Sequence, residues 1–142
     1  MSRHRRPAGG FTLIELLVVL LILGMIAGIA GPQIMSYLGD SKAKAAKLQI
    51  GEFEGTLDLY KLDVGHYPDT QEGLKALVEA PPTAGDRWHG PYLKKKAVPK
   101  DPWGYDYQYT SPGKHGNVDI VSFGADGKEG GEGENKDVVS WE

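Results

Sequence analysis

Cysteine is absent from this chain, which excludes a disulfide, a thiolate metal site and sulfur-based redox chemistry. Charged side chains are absent from Leu16 to Leu38, and acidic side chains are absent from Met1 to Gly10, where Arg3, Arg5 and Arg6 stand. Histidine is sparse: His66, His89 and His115 lie far apart in sequence, so nothing in their spacing suggests a histidine metal site. With 142 residues the chain can build one small core and not two independent ones. Setting Met1–Gly10 aside leaves 13 basic against 19 acidic side chains, a formal charge of −6, which argues against nucleic acid as a partner.

The basic, acid-free start followed at once by an apolar run has the form of a targeting segment. An ordinary secretory signal would be cut after the apolar region at a small-x-small site, for which Ala27 to Gly31 offers candidates. Glu15 argues against that reading. A carboxylate inside an apolar helix costs roughly 2.5–3.5 kcal/mol at the bilayer centre, and a segment that serves only as a signal has no use for one. Glu15 therefore needs a partner, or must snorkel to the interface or be protonated. Leu16–Leu38 is long enough to span a hydrocarbon core of about 30 Å. Gly24, Gly28 and Gly31 recur at helical spacing and permit close helix approach, although a single anchor with its glycines facing lipid reads the same way. Pro32 is expected to kink the helix or melt it locally.

Charges return at Asp40. From there Ala43, Ala46, Ile50, Phe53, Leu57, Tyr60 and Val64 recur in steps of three and four, which predicts an amphipathic continuation of the same helix ending near Gly65 as its C′ residue. Asp69-Thr70-Gln71-Glu72 has the form of a capping box and predicts a second, short helix through Glu79, stopped by Pro81 and Pro82. The segment from Pro81 to Pro102 should be mostly irregular. Its run Lys94-Lys95-Lys96 is either a solvated surface or a contact for acidic Glu54 or Asp58 on another subunit. Strands are predicted at Tyr105–Tyr109, Val118–Phe123 and Val138–Trp141. Three antiparallel strands with one apolar face would cover the helical stripe, an α+β arrangement with Trp103 and the tyrosines as packing residues.

Between the last two strands, Gly124–Asp137 crowds five carboxylates, Asp126, Glu129, Glu132, Glu134 and Asp137, among glycines. Ordering such a loop costs about 1–2 kcal/mol per residue in backbone entropy, on top of charge repulsion. A hard cation such as Ca²⁺, which takes six to eight oxygens from carboxylates and carbonyls, would offset both. The spacing does not match an EF-hand, so on residue types alone a bare disordered acidic loop stands beside a calcium site.

Gly10-Phe11-Thr12-Leu13-Ile14-Glu15 with the apolar run behind it resembles the cleavage motif of type IV pilins and pseudopilins. The resemblance implies a pilin-like α+β fold, with the long helix packed on a small three-stranded antiparallel sheet. It also implies that residues 1–10 are a leader removed by a prepilin peptidase, which cuts between Gly10 and Phe11 and N-methylates Phe11. Residues 11–38 would be retained as the transmembrane and filament-core helix, and residues 39–142 would form a periplasmic domain. Cleavage frees an α-amino group of ordinary pKa about 7.7–8, available to pair with Glu15 of a neighbouring subunit.

Ser122-Phe123-Gly124-Ala125-Asp126-Gly127, the acidic glycines after it and Asp137-x-x-x-Trp141 resemble the calcium loop of the major pseudopilins of type II secretion systems. That resemblance implies a structural Ca²⁺ held by the carboxylates of Asp126 and Asp137 and the carbonyl of Phe123, with Glu129, Glu132 and Glu134 as further donors left open. Lys136 departs from the pattern, since family members often carry a second acid beside the position of Asp137. The implied protein is a filament subunit and not an enzyme. It would be anchored once in the inner membrane and would polymerise into a helical periplasmic pseudopilus that helps expel folded proteins across the outer membrane. Minor pseudopilins and an inner-membrane secretion platform would be its partners. The alternatives are a type IV pilin for adhesion, motility or DNA uptake, many of which close a C-terminal loop with a disulfide this chain cannot make, and a membrane-anchored periplasmic enzyme, for which the loop offers no nucleophile.

Overall fold

A computed structural model describes residues 9–142, so Arg3, Arg5 and Arg6 of the expected leader lie outside the described residues. The chain divides into two compact units, Met1–Tyr37 and Leu38–Glu142. Helix α1 (Leu13–Val64) contributes to both.

In the first unit the apolar side chains of α1 face outward all round: Leu13, Leu20 and Ile29 are 81%, 65% and 74% exposed. The helix is long and apolar enough to cross a membrane. It continues through Pro32, where a kink or local melting was expected, without melting. Proline removes only one donor from the ladder, and the turns on either side keep theirs.

In the second unit one stripe of α1 turns inward. Ile50, Phe53, Leu57, Tyr60 and Val64 are essentially inaccessible to solvent, as the three-four spacing predicts. Each such side chain contributes about 1.5–3 kcal/mol of burial. Opposite them stand Leu74, Leu77, Tyr107, Tyr109 and Ile120. Phe53 and Tyr107 meet edge to face at 5.1 Å between centroids. Burial pushes the Tyr60 and Tyr109 phenols up to about 12 and the Tyr107 phenol higher still. The Tyr109 hydroxyl donates to the Pro68 carbonyl at 2.8 Å, which lets a polar tip sit in the core. Helix α1 stops as expected: Gly65 adopts φ 96° and its N–H donates to the Lys61 carbonyl at 2.8 Å.

The sheet is antiparallel, in the order β1 (Gln108–Thr110), β2 (Asp119–Ser122), β3 (Val138–Val139). Tyr109 faces Ile120 and Val121 faces Val139 across the two pairings. All three strands are shorter than the sequence pattern suggests. At the start of β1, both backbone groups of Tyr105 are held by Asp101: its N–H by the carboxylate at 2.8 Å, its carbonyl by the Asp101 N–H at 2.8 Å. Neither group is left for the ladder. At the end of β3, the Ser140 hydroxyl, not a carbonyl, accepts the Ile120 N–H at 3.1 Å, and the Val139 carbonyl accepts from the Lys47 ammonium at 2.6 Å.

The second helix is a 3-10 turn, Gly73–Leu77, and not an α-helix reaching Glu79. Its capping box forms as the sequence indicates, with Glu72 N–H donating to Asp69 at 2.7 Å and Asp69 N–H to Glu72 at 3.0 Å. Gly73 then takes φ 59°, which breaks the right-handed path. From Pro81 to Pro102 the only regular piece is the 3-10 turn Gly85–Arg87.

Candidate functional site

Two places carry the chemistry the sequence singles out. At the first, Gly10 and Phe11 are exposed ahead of α1, where an enzyme could reach the bond between them. Thr12 caps the helix. Its hydroxyl accepts the Glu15 N–H at 3.3 Å, while Glu15 accepts the Thr12 N–H at 3.1 Å. This is a reciprocal capping box, so the Glu15 carboxylate has a partner within its own chain, one that the sequence reading missed although Thr-x-x-Glu was there to be seen. An acid in the first turn also complements the positive end of the helix dipole.

The second place is the glycine-rich loop. Ser122 ends β2, Phe123 follows it, and a 3-10 turn spans Gly124–Asp126. Gly124 and Gly127 sit at φ 69° and 65°, a region that a side chain would strain. A second 3-10 turn, Gly133–Asn135, packs against the first, and Asp137 comes just after it. The two turns meet closely. A Cβ on Gly124 would lie 2.8 Å from the Glu134 carbonyl oxygen and 2.9 Å from that of Lys136, and one on Gly131 would lie 2.6 Å from that of Asn135. Phe123 thus precedes the first turn, Asp126 ends it and Asp137 follows the second, while the Glu134 and Lys136 carbonyls lie against Gly124.

Oxygen donors of this kind suit a hard cation. Asp137 Oδ2 accepts the Gly130 N–H at 2.9 Å, but Asp137 Oδ1 is buried with no hydrogen-bond partner. A buried carboxylate oxygen without a partner costs several kcal/mol unless a proton or a cation reaches it. Asp126 Oδ1 accepts the Lys128 N–H at 3.1 Å, which leaves its other oxygen available. Among the described residues no three His, Asp or Glu side chains gather as a ligand cluster. Glu129 and Glu132 are exposed. Glu134 lies against Gly39 of α1. Lys136, the departure from the pattern, has its ammonium 3.8 Å from the Glu142 carboxylate.

Other expected contacts are partly used within the chain. Asp58 accepts the Tyr67 hydroxyl at 2.7 Å, while Lys94, Lys95 and Lys96 are exposed and form no ion pair among the described residues. The turn between β1 and β2 is organised by Asp119, another residue the sequence reading did not mark. Burial pushes its carboxyl up, but hydrogen bonds from the Lys114 N–H at 2.8 Å and from His115 outweigh this, and the carboxyl is held below its ordinary value. The His115 ring in turn stacks on Trp141 at 3.8 Å.

Comparisons with known proteins match both ends of the chain. A family described as type II secretion system (T2SS), protein G matches residues 33–141, and one described as a prokaryotic N-terminal methylation motif matches residues 5–31. The chain is 47% identical to a type II secretion system core protein G of Pseudomonas aeruginosa, over 98% of this chain and 99% of that one. It is 44% identical to that of Vibrio cholerae, over 98% and 95%. Among solved structures it resembles the major pseudopilin from the type 2 secretion system of enterohaemorrhagic Escherichia coli with a TM-score of 0.64 and 34% identity, over 78% of this chain and 95% of that one.

Proposed function

The chain belongs to the type II secretion system protein G family, and from that premise we propose that it is the major structural subunit of a pseudopilus, assembling from the inner membrane to move folded proteins across the outer membrane. The observation that carries this is the 47% identity to a core protein G over nearly the whole of both chains. The helix of the first unit supports it, because its exposed apolar side chains need lipid before assembly and other subunits after it. Prepilin peptidase cuts between Gly10 and Phe11 and methylates the new terminus. The neighbour's amine then competes with the Thr12 N–H for the Glu15 carboxylate, putting a cationic donor and an ion pair where a neutral N–H donor stood. The subunit acts by polymerising, with minor pseudopilins and the membrane platform as partners, and not by catalysis. The free Lys94–Lys96 run supplies positive charge for a polar contact with Glu54 of the next subunit.

Phe123, Asp126 and Asp137 would hold a structural Ca²⁺ through one carbonyl and two carboxylates. Bound there, the ion would neutralise part of the loop's negative charge and satisfy the orphaned Asp137 Oδ1. The residues on either side do the rest: Gly124 and Gly131 bring the two turns together, and the Gly130 N–H orients the Asp137 carboxylate.

Deleting the protein from its host separates the readings. Loss of exoprotein secretion, restored by the wild-type chain and not by Glu15→Val, is the expected result. Intact secretion with loss of surface pili would transfer the chain to the type IV pilins, and loss of one hydrolytic activity alone would make it an enzyme.

A further inference from the structure

Asp101 stands outside the loop, in the segment leading to β1, and is only 4% exposed. Both of its carboxylate oxygens are engaged. Oδ1 accepts the N–H groups of Trp103 at 3.1 Å and Tyr105 at 2.8 Å, and Oδ2 accepts the Ser122 hydroxyl at 2.6 Å. The backbone closes the same knot, with the Gly104 N–H donating to the Asp101 carbonyl at 2.9 Å.

Two arms lead from this carboxylate to the glycine loop. Ser122 is completely buried, and its single hydroxyl proton is given to Asp101, so its lone pairs are left for the Gly124 N–H at 3.4 Å. The other arm is Tyr105. Its ring lies so close to Gly127 that a Cβ there would meet it at 2.9 Å. Tyr105 is 44% exposed, so its backbone hydrogen bonds to Asp101, more than burial, hold it in place. Gly124 and Gly127 are the two left-handed residues that bracket Asp126 and follow Phe123. Both ends of the turn carrying these two donors are therefore referred to one buried carboxylate about twenty residues upstream.

We propose that Asp101 is a positioning residue for the cation loop: through Ser122 and Tyr105 it presets the turn Gly124–Asp126 in the shape that presents Phe123 and Asp126, without itself touching the ion. This rests on the calcium reading given above. It goes beyond that reading in assigning the loop's shape to a residue that lies outside it.

The test uses the full chain in detergent and reads two quantities: amide hydrogen exchange in chelator, and Ca²⁺ affinity by calorimetric titration. Asp101→Asn keeps the size and one acceptor but turns an amino group toward Ser122. Ser122→Ala leaves Asp101 intact and covers the case in which Asp101→Asn fails to fold. Tyr105→Ala removes the ring from Gly127, and Asp106→Asn, an exposed acid paired with Lys100, is the control. Asp101→Asn and Ser122→Ala should each speed exchange at Gly124–Lys128 at least tenfold while Ile50 and Tyr109 are unchanged. Each should also weaken Ca²⁺ binding by roughly tenfold, the low end of what outer-shell changes cost. Tyr105→Ala should do the same to a smaller degree, and Asp106→Asn should do neither. Unchanged exchange at Gly124–Lys128 in both principal variants would overturn the proposal. So would acceleration spread evenly through the core, the mark of a merely structural role, or faster exchange with unaltered affinity. A wild-type chain that takes up no Ca²⁺ overturns the metal reading and the cation part of the proposal together, and the exchange data in chelator then show separately whether Asp101 shapes the turn.

Discussion

Both halves of α1 carry large apolar side chains, and those side chains have opposite fates. Before Leu38 the leucines, isoleucines and valines are exposed on every side; after it, one stripe is buried to completion while Leu48 and Leu62 remain outside. The difference lies in what the chain supplies to each half. The second half is covered by the sheet and by the turn Gly73–Leu77, whereas among the described residues no other element covers the first. One helix thus contains a part packed by its own chain and a part whose apolar side chains stay exposed. The same contrast recurs in the loops. The β1–β2 turn is satisfied by its own Asp119, whereas the acidic glycine loop leaves a buried carboxylate oxygen without a partner.

Substitution in the two halves of α1 is the most direct way to break this comparison. Leu57→Ala should cost about 2–5 kcal/mol of stability, because the site is fully enclosed. Leu21→Ala should leave the thermal midpoint of the domain in detergent within about 0.5 kcal/mol of wild type, yet reduce filament formation. Equal losses of stability would mean that the first half has a core after all. The loops give the next largest effect. At a hundredfold excess over its dissociation constant, Ca²⁺ should stabilise the wild type by about 2.7 kcal/mol, and neither Mg²⁺ nor Ca²⁺ should do so for Asp126→Ala. No calcium-selective shift would mean that the glycine loop is as self-sufficient as the β1–β2 turn.

The two capping boxes sharpen the contrast at a smaller scale. Thr12–Glu15 and Asp69–Glu72 have the same reciprocal hydrogen bonds, one in each unit. Asp69→Ala should lower domain stability by about 1 kcal/mol, while Thr12→Ala should not move the same thermal transition.

Legibility followed the range of the interactions. The inward stripe, the stop at Gly65, the three antiparallel strands and the Asp69 box all depend on residues close in sequence, and each could be read from spacing. What escaped was set across the chain. The strand ends depend on Asp101 and Ser140 competing for ladder groups, and no periodicity encodes that competition. Gly73 was the local exception: it could be read as a helix breaker, but the strong capping box ahead of it pointed to a longer helix. At the candidate site, oxygen chemistry marked the loop's carboxylates as a group, and family resemblance alone singled out Phe123, Asp126 and Asp137. Asp101 was not, because its role depends on where the fold brings Ser122 and Tyr105.

The smallest effect belongs to Asp119, and its size follows from opposed causes. Burial disfavours the carboxylate, hydrogen bonds from Lys114 and His115 favour it, and only the difference survives as a lowered folded-state value. A carboxyl held lower in the folded chain than in the unfolded one contributes its stability above the ordinary value of about 3.9 and loses it as pH falls through the folded-state value. Acid unfolding of the wild type should therefore steepen in that window, and Asp119→Asn should flatten it while leaving the neutral-pH calcium response intact. If the substitution abolished the calcium response as well, the two loops would be coupled, and the division between a turn that completes itself and one that leaves a buried carboxylate oxygen unpartnered would not hold.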